Sequence, residues 1–278
     1  GGSAVQRPTG RFMPGSGEFQ FEVGPLLRPA RPWVNVLANP QFGAQLSEAG
    51  GGYSWALNSR LNQLTPWSND AIADPCGEWF VLQDLKTREL WSVTPSASGD
   101  TEVIYRVAHG QGMSRIRHRR ADLDVSSTWC VDPGSGVKQV RIRVINRGHR
   151  TRRLRVVGVA EWIMGAGRGD RASTVTGAFT QRLARPAAGD DGTPSRVVAV
   201  TCTQRDRAAG FGNGTAFLAV VDALSETPDW TCDRHECFDA RGRFVVPDEF
   251  GQRAGIGLDP CAAIATRRTL AAGDTAEC

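Results

Sequence analysis

The chain has 278 residues, of which 40% are hydrophobic and 22% charged, an ordinary globular composition in a chain long enough to bury a substantial core. Its 33 basic against 29 acidic residues leave a formal charge of +4, carried far more by Arg than by Lys, and so modest an excess does not argue for nucleic acid. No apolar run approaches the length of a membrane span and the Gly1-Gly2-Ser3 start lacks the regions of a signal peptide, so the sequence reads as soluble.

Residues 1–17 mix Gly, Ser, Pro and Arg without periodicity and read as a flexible lead-in or an added remnant, and 18–278 as one domain. From Glu18 onward Phe19 and Phe21 alternate with polar residues, and Val34 and Val36 follow after prolines, as in strands. Residues 51–70 break that pattern with two tryptophans, a tyrosine, three asparagines, an arginine and an aspartate. Strands are expected at Thr101–Val107, Gly112–Arg119 and Leu123–Val131. Val137–Asn146 alternates most clearly and runs through the turn Asn146-Arg147-Gly148-His149 into Leu154–Trp162, which predicts a β-hairpin with arginines on its solvent face. Further strands are expected at Arg196–Thr201, Ala216–Val221, Phe244–Val246 and Ala262–Leu270. With 32 Gly and 15 Pro and almost no helical periodicity, the pattern calls for two stacked antiparallel sheets, an all-β architecture. After Leu270 the turn Ala272-Gly273-Asp274 opens a return strand that has scarcely begun at Cys278, as expected of a fragment truncated at its C-terminus inside a hairpin.

The segment 51–70 carries the functional signal. A buried amide without a partner loses about 1–3 kcal/mol, so an apolar core has no need of three asparagines here. A sugar does, because its C–H faces stack on aromatic rings and its hydroxyls require groups that donate and accept. The other reading is a structural Ω-loop, with the tryptophans as a plug and Asn and Asp bonding their own backbone.

Other motifs are weaker. The seven cysteines lack CxxC spacing, and their odd number leaves a free thiol in the monomer; most of them read as small buried hydrophobes of a reducing compartment, with no metal site. The four histidines are too scattered for a local metal site, His109 at a turn being the one most suited to ligand contact and the others reading as surface residues. The basic runs 115–120 and 147–155 lack interleaved aromatics and read as solvated faces or docking surfaces. Gly165–Asp170 lacks the third glycine and following helix of a dinucleotide loop. The tripeptides Arg168-Gly169-Asp170 and Asn213-Gly214-Thr215 are common by chance and presuppose an extracellular setting.

The runs Arg31–Gly43, Glu48–Trp55 and Asn58-Ser59-Arg60 to Asp70, with Tyr105–Arg115, Ala160-Glu161-Trp162 and Gly257–Ala263, resemble the N-terminal β-supersandwich of the inverting glycoside phosphorylases. That family includes cellobiose and chitobiose phosphorylases, and the resemblance is greatest to the phosphorylase-like region of cyclic β-1,2-glucan synthases. It implies a galactose mutarotase-like, two-layer antiparallel supersandwich, a glucan partner, and a following α/α barrel that holds the general acid. It also implies a membrane-embedded parent with this domain on the cytoplasmic side. Leu61 stands where the family has an acidic residue, and Cys237, Asp239 and Ala240 depart from it as well.

Glu48, Asp70, Asp74, Glu161, Asp233 and Glu236 are acids of the type glycoside cleavage uses. Because the resemblance places the proton donor in the barrel, no catalytic residue and no cofactor is expected in this chain. Trp55 and Trp67 are expected to stack on sugar rings, with Asn58, Arg60, Asn62, Asn69 and Asp70 bonding hydroxyls or anchoring the loop. Asp233 and Arg234 are expected to form an ion pair or reach the shared cleft. Two other readings are a free-standing mutarotase-like or lyase-like enzyme, which needs a local His and a carboxylate facing one cleft, and a purely structural spacer.

Overall fold

The computed structural model describes residues 5–70, 74–95, 103–183, 195–223 and 227–278. Among these, the chain forms β1 (Arg11–Phe12), β2 (Phe19–Val23), β3 (Val34–Ala38), β4 (Phe42–Ser47), β5 (Gly52–Ala56), β6 (Glu78–Asp84), β7 (Leu90–Ser92), β8 (Tyr105–Gly110) and β9 (Met113–Arg120). The second half adds β10 (Leu123–Val131), β11 (Lys138–Asn146), β12 (Arg152–Glu161), β13 (Thr174–Arg182), β14 (Ser195–Gln204), β15 (Thr215–Ala223), β16 (Asp229–Asp233), β17 (Pro260–Leu270) and β18 (Thr275–Glu277). Every pairing between them is antiparallel.

Seven strands form the larger sheet in the order β1-β2-β8-β9-β10-β11-β18, and five form the second in the order β16-β17-β12-β6-β7. The larger sheet reads as alternation: Leu123, Val125, Ser127 and Trp129 of β10 and Ile142 and Val144 of β11 turn inward, while Arg141 and Arg143 stay outside. That inner face packs on Leu82, Leu154, Val156 and Leu270 of the second sheet and on Leu37 and Leu46 of the small sheet β3-β4-β5. The second sheet is covered on its other face too, where Val81, Val157, Val159, Cys261, Ala263 and Ala265 meet Cys237 and Phe250. At one end Ala160, Ala262 and Ile264 pack with Val200, Cys202 and Ala216 of the sheet β13-β14-β15. The architecture is the expected all-β stack of antiparallel sheets.

Several expectations are corrected. β11 and β12 do not form a hairpin: β11 pairs with β10 and β18, and β12 with β6 and β17. The turn after Asn146 carries the chain between the two sheets, and the buried Asn146 amide donates to the carbonyls of Arg150 (2.8 Å) and Ala271 (3.0 Å) to hold the crossing. Because β12 is covered on both faces, Arg155 is wholly buried rather than on a solvent face, paired with Asp229 at 2.5 Å and lying 4.9 Å over the Phe250 ring. β18 likewise crosses to β11 instead of returning along β17.

Of the expected strand Thr101–Val107, residues 101 and 102 lie outside the described residues, and β8 begins at Tyr105. Phe244–Val246 yields one isolated bridge, Phe238 to Phe244, in place of a strand. Part of the stretch 1–17 is paired, since Arg11 and Phe12 lie opposite Gln20 and Phe19. Among the described residues no helix is long and apolar enough to cross a membrane.

Candidate functional site

The small sheet β3-β4-β5 presents a row of rings. Trp55 on β5 lies opposite Gly43 on β4, and its indole fills the space a side chain at 43 would need: a Cβ there would sit 2.2 Å from Cζ2. Tyr53, two residues earlier and so on the same strand face, has its ring centroid 5.1 Å from that of Trp55 and 5.8 Å from that of Trp67. Tyr53 is buried at the centre, and its hydroxyl is pushed above the ordinary tyrosine value by burial, against a hydrogen bond with Ser59. Of the flanking rings, Trp67 is 45% exposed and Trp55 is half-buried over Gly43. Neither tryptophan is the buried plug of a structural Ω-loop; together they give a partly solvated aromatic row.

The chain leaves β5 through Leu57, whose φ of 63° is costly for a branched residue, into a tight loop. Asn58 Oδ1 accepts from the backbone N–H groups of Arg60 and Leu61, both at 2.9 Å, and Asn62 N–H returns to Asn58 C=O at 3.0 Å. Asn62 is buried and its amide donates to Gly210 C=O at 2.9 Å. Gln63 then exchanges backbone hydrogen bonds with Gly165 (2.9 and 3.0 Å), and Leu64 C=O accepts from Ile163 N–H (3.0 Å). Asn58 and Asn62 are therefore engaged in shaping and anchoring the loop, while Arg60, Leu61 and Asn69 are exposed, as is Asp70.

The segment 161–168 joins this loop to the second group of expected residues. Glu161, only 3% exposed, pairs with Arg234 and with Arg168 at 3.2 Å. Arg234 also approaches Asp259 (3.8 Å) and lies 4.0 Å over the Phe238 ring. Asp233 and Arg234 do not pair with each other. The buried Asp233 takes Arg253 at 2.5 Å and His235 Nδ1 at 2.9 Å. Arg168 and Glu161, missed as a pair from sequence, are the link between the two groups.

The other acids are engaged internally. Glu48 accepts from Trp33 N–H (2.8 Å), Asp74 from Ser47 Oγ (2.5 Å), and Glu236 from Thr231 Oγ1 and Gly251 N–H, both at 2.7 Å. Burial raises the carboxyls of Glu48 and Asp74 above their ordinary values. The histidines correct the sequence reading in part. His109 is buried between Ser114 Oγ (3.0 Å) and Trp33 C=O (2.9 Å), and burial lowers its pKa. His118, expected at the surface, is buried and accepts from Trp91 Nε1 at 3.2 Å. Asp170 Oδ2 accepts from the N–H groups of Ala166 and Gly167 (2.7 and 3.0 Å), filling the position a phosphate would take in a glycine loop. Among the described residues no cluster of three or more His, Cys, Asp or Glu could hold a metal ion.

A cyclic β-(1,2)-glucan synthase, NdvB of Rhizobium meliloti (strain 1021), is 29% identical to this chain over 249 residues. The match covers 87% of this chain and 8% of that protein, so the chain spans a small part of its relative's length. Among solved structures, a galactose mutarotase-like protein from Lactobacillus casei ATCC 334 matches 88% of this chain and 97% of its own at 8% identity and a TM-score of 0.46, a likeness too distant to carry weight. Residues 18–278 match the family model of the glycosyl hydrolase 94 supersandwich domain. On that match, which takes in both the aromatic row and the Glu161 network, the chain belongs to the glycosyl hydrolase 94 supersandwich family.

Proposed function

We propose that this domain contacts a β-glucan through the row Trp55, Tyr53 and Trp67 and the polar loop tip, and shapes the glucan cleft of an α/α-barrel catalytic domain in a larger glycosyltransferase or glycoside phosphorylase. The observation that carries the reading is the aromatic row, exposed at Trp67, on the segment that also carries the exposed Arg60, Asn69 and Asp70. Rings of that kind offer flat apolar area to sugar faces, and a guanidinium and carboxylate at the rim hydrogen-bond hydroxyls. Asn58 and Asn62 hold the loop in that shape. Asp233 and Arg234 brace the neighbouring segment through Glu161 and Arg253.

The similarity to a cyclic β-(1,2)-glucan synthase makes a β-1,2-linked glucan the first ligand to try. In this reading the parent is associated with a membrane, with the domain on its cytoplasmic side, and the domain is not an enzyme by itself because its buried acids are bound to internal donors. The test is titration of the chain with β-1,2-gluco-oligosaccharides, followed by tryptophan fluorescence. Saturable binding that Trp67→Ala abolishes is expected, and incubation with glucan and phosphate is expected to release no glucose 1-phosphate. Binding unaffected by Trp67→Ala would remove the row from the glucan contact, and turnover lost on changing one of these carboxylates would make the domain an enzyme.

A further inference from the structure

A cleft of about 750 Å3 opens on the solvent face of the seven-stranded sheet, lined by residues of β2, β8 and β9 and of the N-terminal arm, whose β1 pairs with β2. The arm is fixed at both ends. Gln6 exchanges backbone hydrogen bonds with Leu26 and Arg28 (2.7 and 3.0 Å), Arg11 and Phe12 pair with β2, and Pro8 between them is buried. The walls are therefore held in place before any ligand arrives.

The lining sets four guanidinium groups, those of Arg11, Arg106, Arg115 and Arg117, against one carboxylate, Glu22. Arg106 is matched by Glu22 at 3.0 Å, and Arg115 by Glu18, which lies behind it, at 3.0 Å. Arg11 and Arg117 make no close ion pair with a carboxylate among the described residues, although the charge of Glu18 reaches Arg117. Arg117 also stands directly opposite Arg106 across β8 and β9, a like-charge pairing that weakens a sheet. Burial, and then the charge of Arg115, lower the pKa of its guanidinium. Elsewhere on this face Arg119 and Arg147 share Asp124, and Arg141 and Arg143 share Glu277. What sets the cleft apart is that two of its arginines, Arg11 and Arg117, share no carboxylate at ion-pair distance among the described residues.

We infer that this cleft binds an oxyanion, the phosphate, sulfate or carboxylate group of a small ligand, with Arg117 and Arg11 as its direct partners and Arg106 and Arg115 as flanking charges. Guanidinium forks match the oxygens of such groups, and Thr9 and Gln20 in the same lining supply neutral hydrogen-bonding groups for the rest of the ligand. The site lies on the larger sheet rather than on the small sheet that bears the aromatic row, and it does not depend on glucan contact.

The test is titration of the isotopically labelled chain with inorganic phosphate, sulfate and glucuronate, read from the arginine side-chain resonances, with neutral β-glucan as the control. Saturable shifts at Arg117 and Arg11 are expected with at least one oxyanion, weakening with added salt and at least tenfold weaker in Arg117→Gln. Phosphate and sulfate acting alone would identify a tetrahedral group, and glucuronate acting alone a carboxylate on a sugar. Arg119→Gln, which removes a matched charge on the same face, is expected to bind as the unmodified chain does. No saturable shift with any oxyanion, or equal affinity in Arg117→Gln and Arg11→Gln, overturns the proposal.

Discussion

Gly43 and Trp55 stand opposite one another on β4 and β5, and the indole lies where a side chain at 43 would be. A Cβ at 43 would be 2.2 Å from the ring, so Gly43→Ala must move one or the other. Trp55 is half-buried and free to tilt outward, so the ring gives way and the sheet survives. The expected stability loss is about 1–3 kcal/mol, the usual cost of overpacking. Glucan affinity should fall with it, because the row Trp55, Tyr53 and Trp67 loses its alignment. Thermal melts and a glucan titration check both halves, and a variant that melts lower but binds unchanged would separate Trp55 from the contact.

Lys138 of β11 pairs with Glu78 of β6 between the sheets, each side chain 14% exposed. Burial pushes the Glu78 carboxyl up, but the charge of Lys138 and the hydrogen bonds from Lys138, Ser54 and Thr65 outweigh it, and the net shift is downward. A carboxyl depressed on folding contributes stability above its ordinary value that is lost as pH falls through the folded value. Lys138→Met leaves that carboxylate buried and unpaired, at an expected cost of about 3–5 kcal/mol at neutral pH. The sign of the pH dependence should then reverse, with the variant most stable in acid. Replacing both partners, Lys138→Met with Glu78→Leu, should recover most of the loss in denaturant titrations across pH.

Glu48 has the opposite sign. Burial is the main cause of its raised pKa, with the charge of Asp74 adding to it and the Trp33 N–H hydrogen bond opposing it. The folded state therefore holds the proton more tightly than the unfolded chain, and stability declines as pH rises from the ordinary glutamate value through the folded one. Glu48→Gln removes the titration while its amide oxygen can still accept from Trp33. The variant should gain on the unmodified chain as pH rises from about 4 to about 7. A difference in melting temperature that stays constant over that range would contradict the assignment.

The sequence was legible where one residue's environment follows from its immediate neighbours. Leu123–Val131 reads as a half-buried strand from its alternation, and β10 has those bounds. The turn at Asn146 reads as a hairpin although it is a crossing, because Asn, Arg, Gly and His suit both equally. Which one forms is decided by β18 and β17, more than a hundred residues later in the chain. The burial of Arg155 is hidden for the same reason, since a strand covered on both faces is distinguished from a surface strand only by what packs on it. At the candidate site the aromatic and amide composition marked the segment. It could not separate Asn62, whose partner Gly210 lies 148 positions away, from Arg60 at the exposed tip.

That separation is open to measurement. Asn62 is 8% exposed and donates to the carbonyl of Gly210, itself an exposed residue, so Asn62→Ala loses that anchor and should cost about 0.5–1.5 kcal/mol, the net worth of one hydrogen bond. Asn62→Asp should cost more at neutral pH, because it sets a carboxylate against a carbonyl oxygen where a donor stood. Arg60 is exposed, and Arg60→Ala should leave stability within about 0.5 kcal/mol. If its guanidinium bonds a glucan hydroxyl, its loss should weaken glucan binding by about 1.5–3 kcal/mol, the range for a charged hydrogen bond. Paired melts and glucan titrations of the three variants therefore give two distinct patterns, stability lost at 62 and affinity lost at 60. An Arg60→Ala chain that melts and binds glucan as the unmodified one does would leave the loop tip as scaffold and confine the contact to the rings.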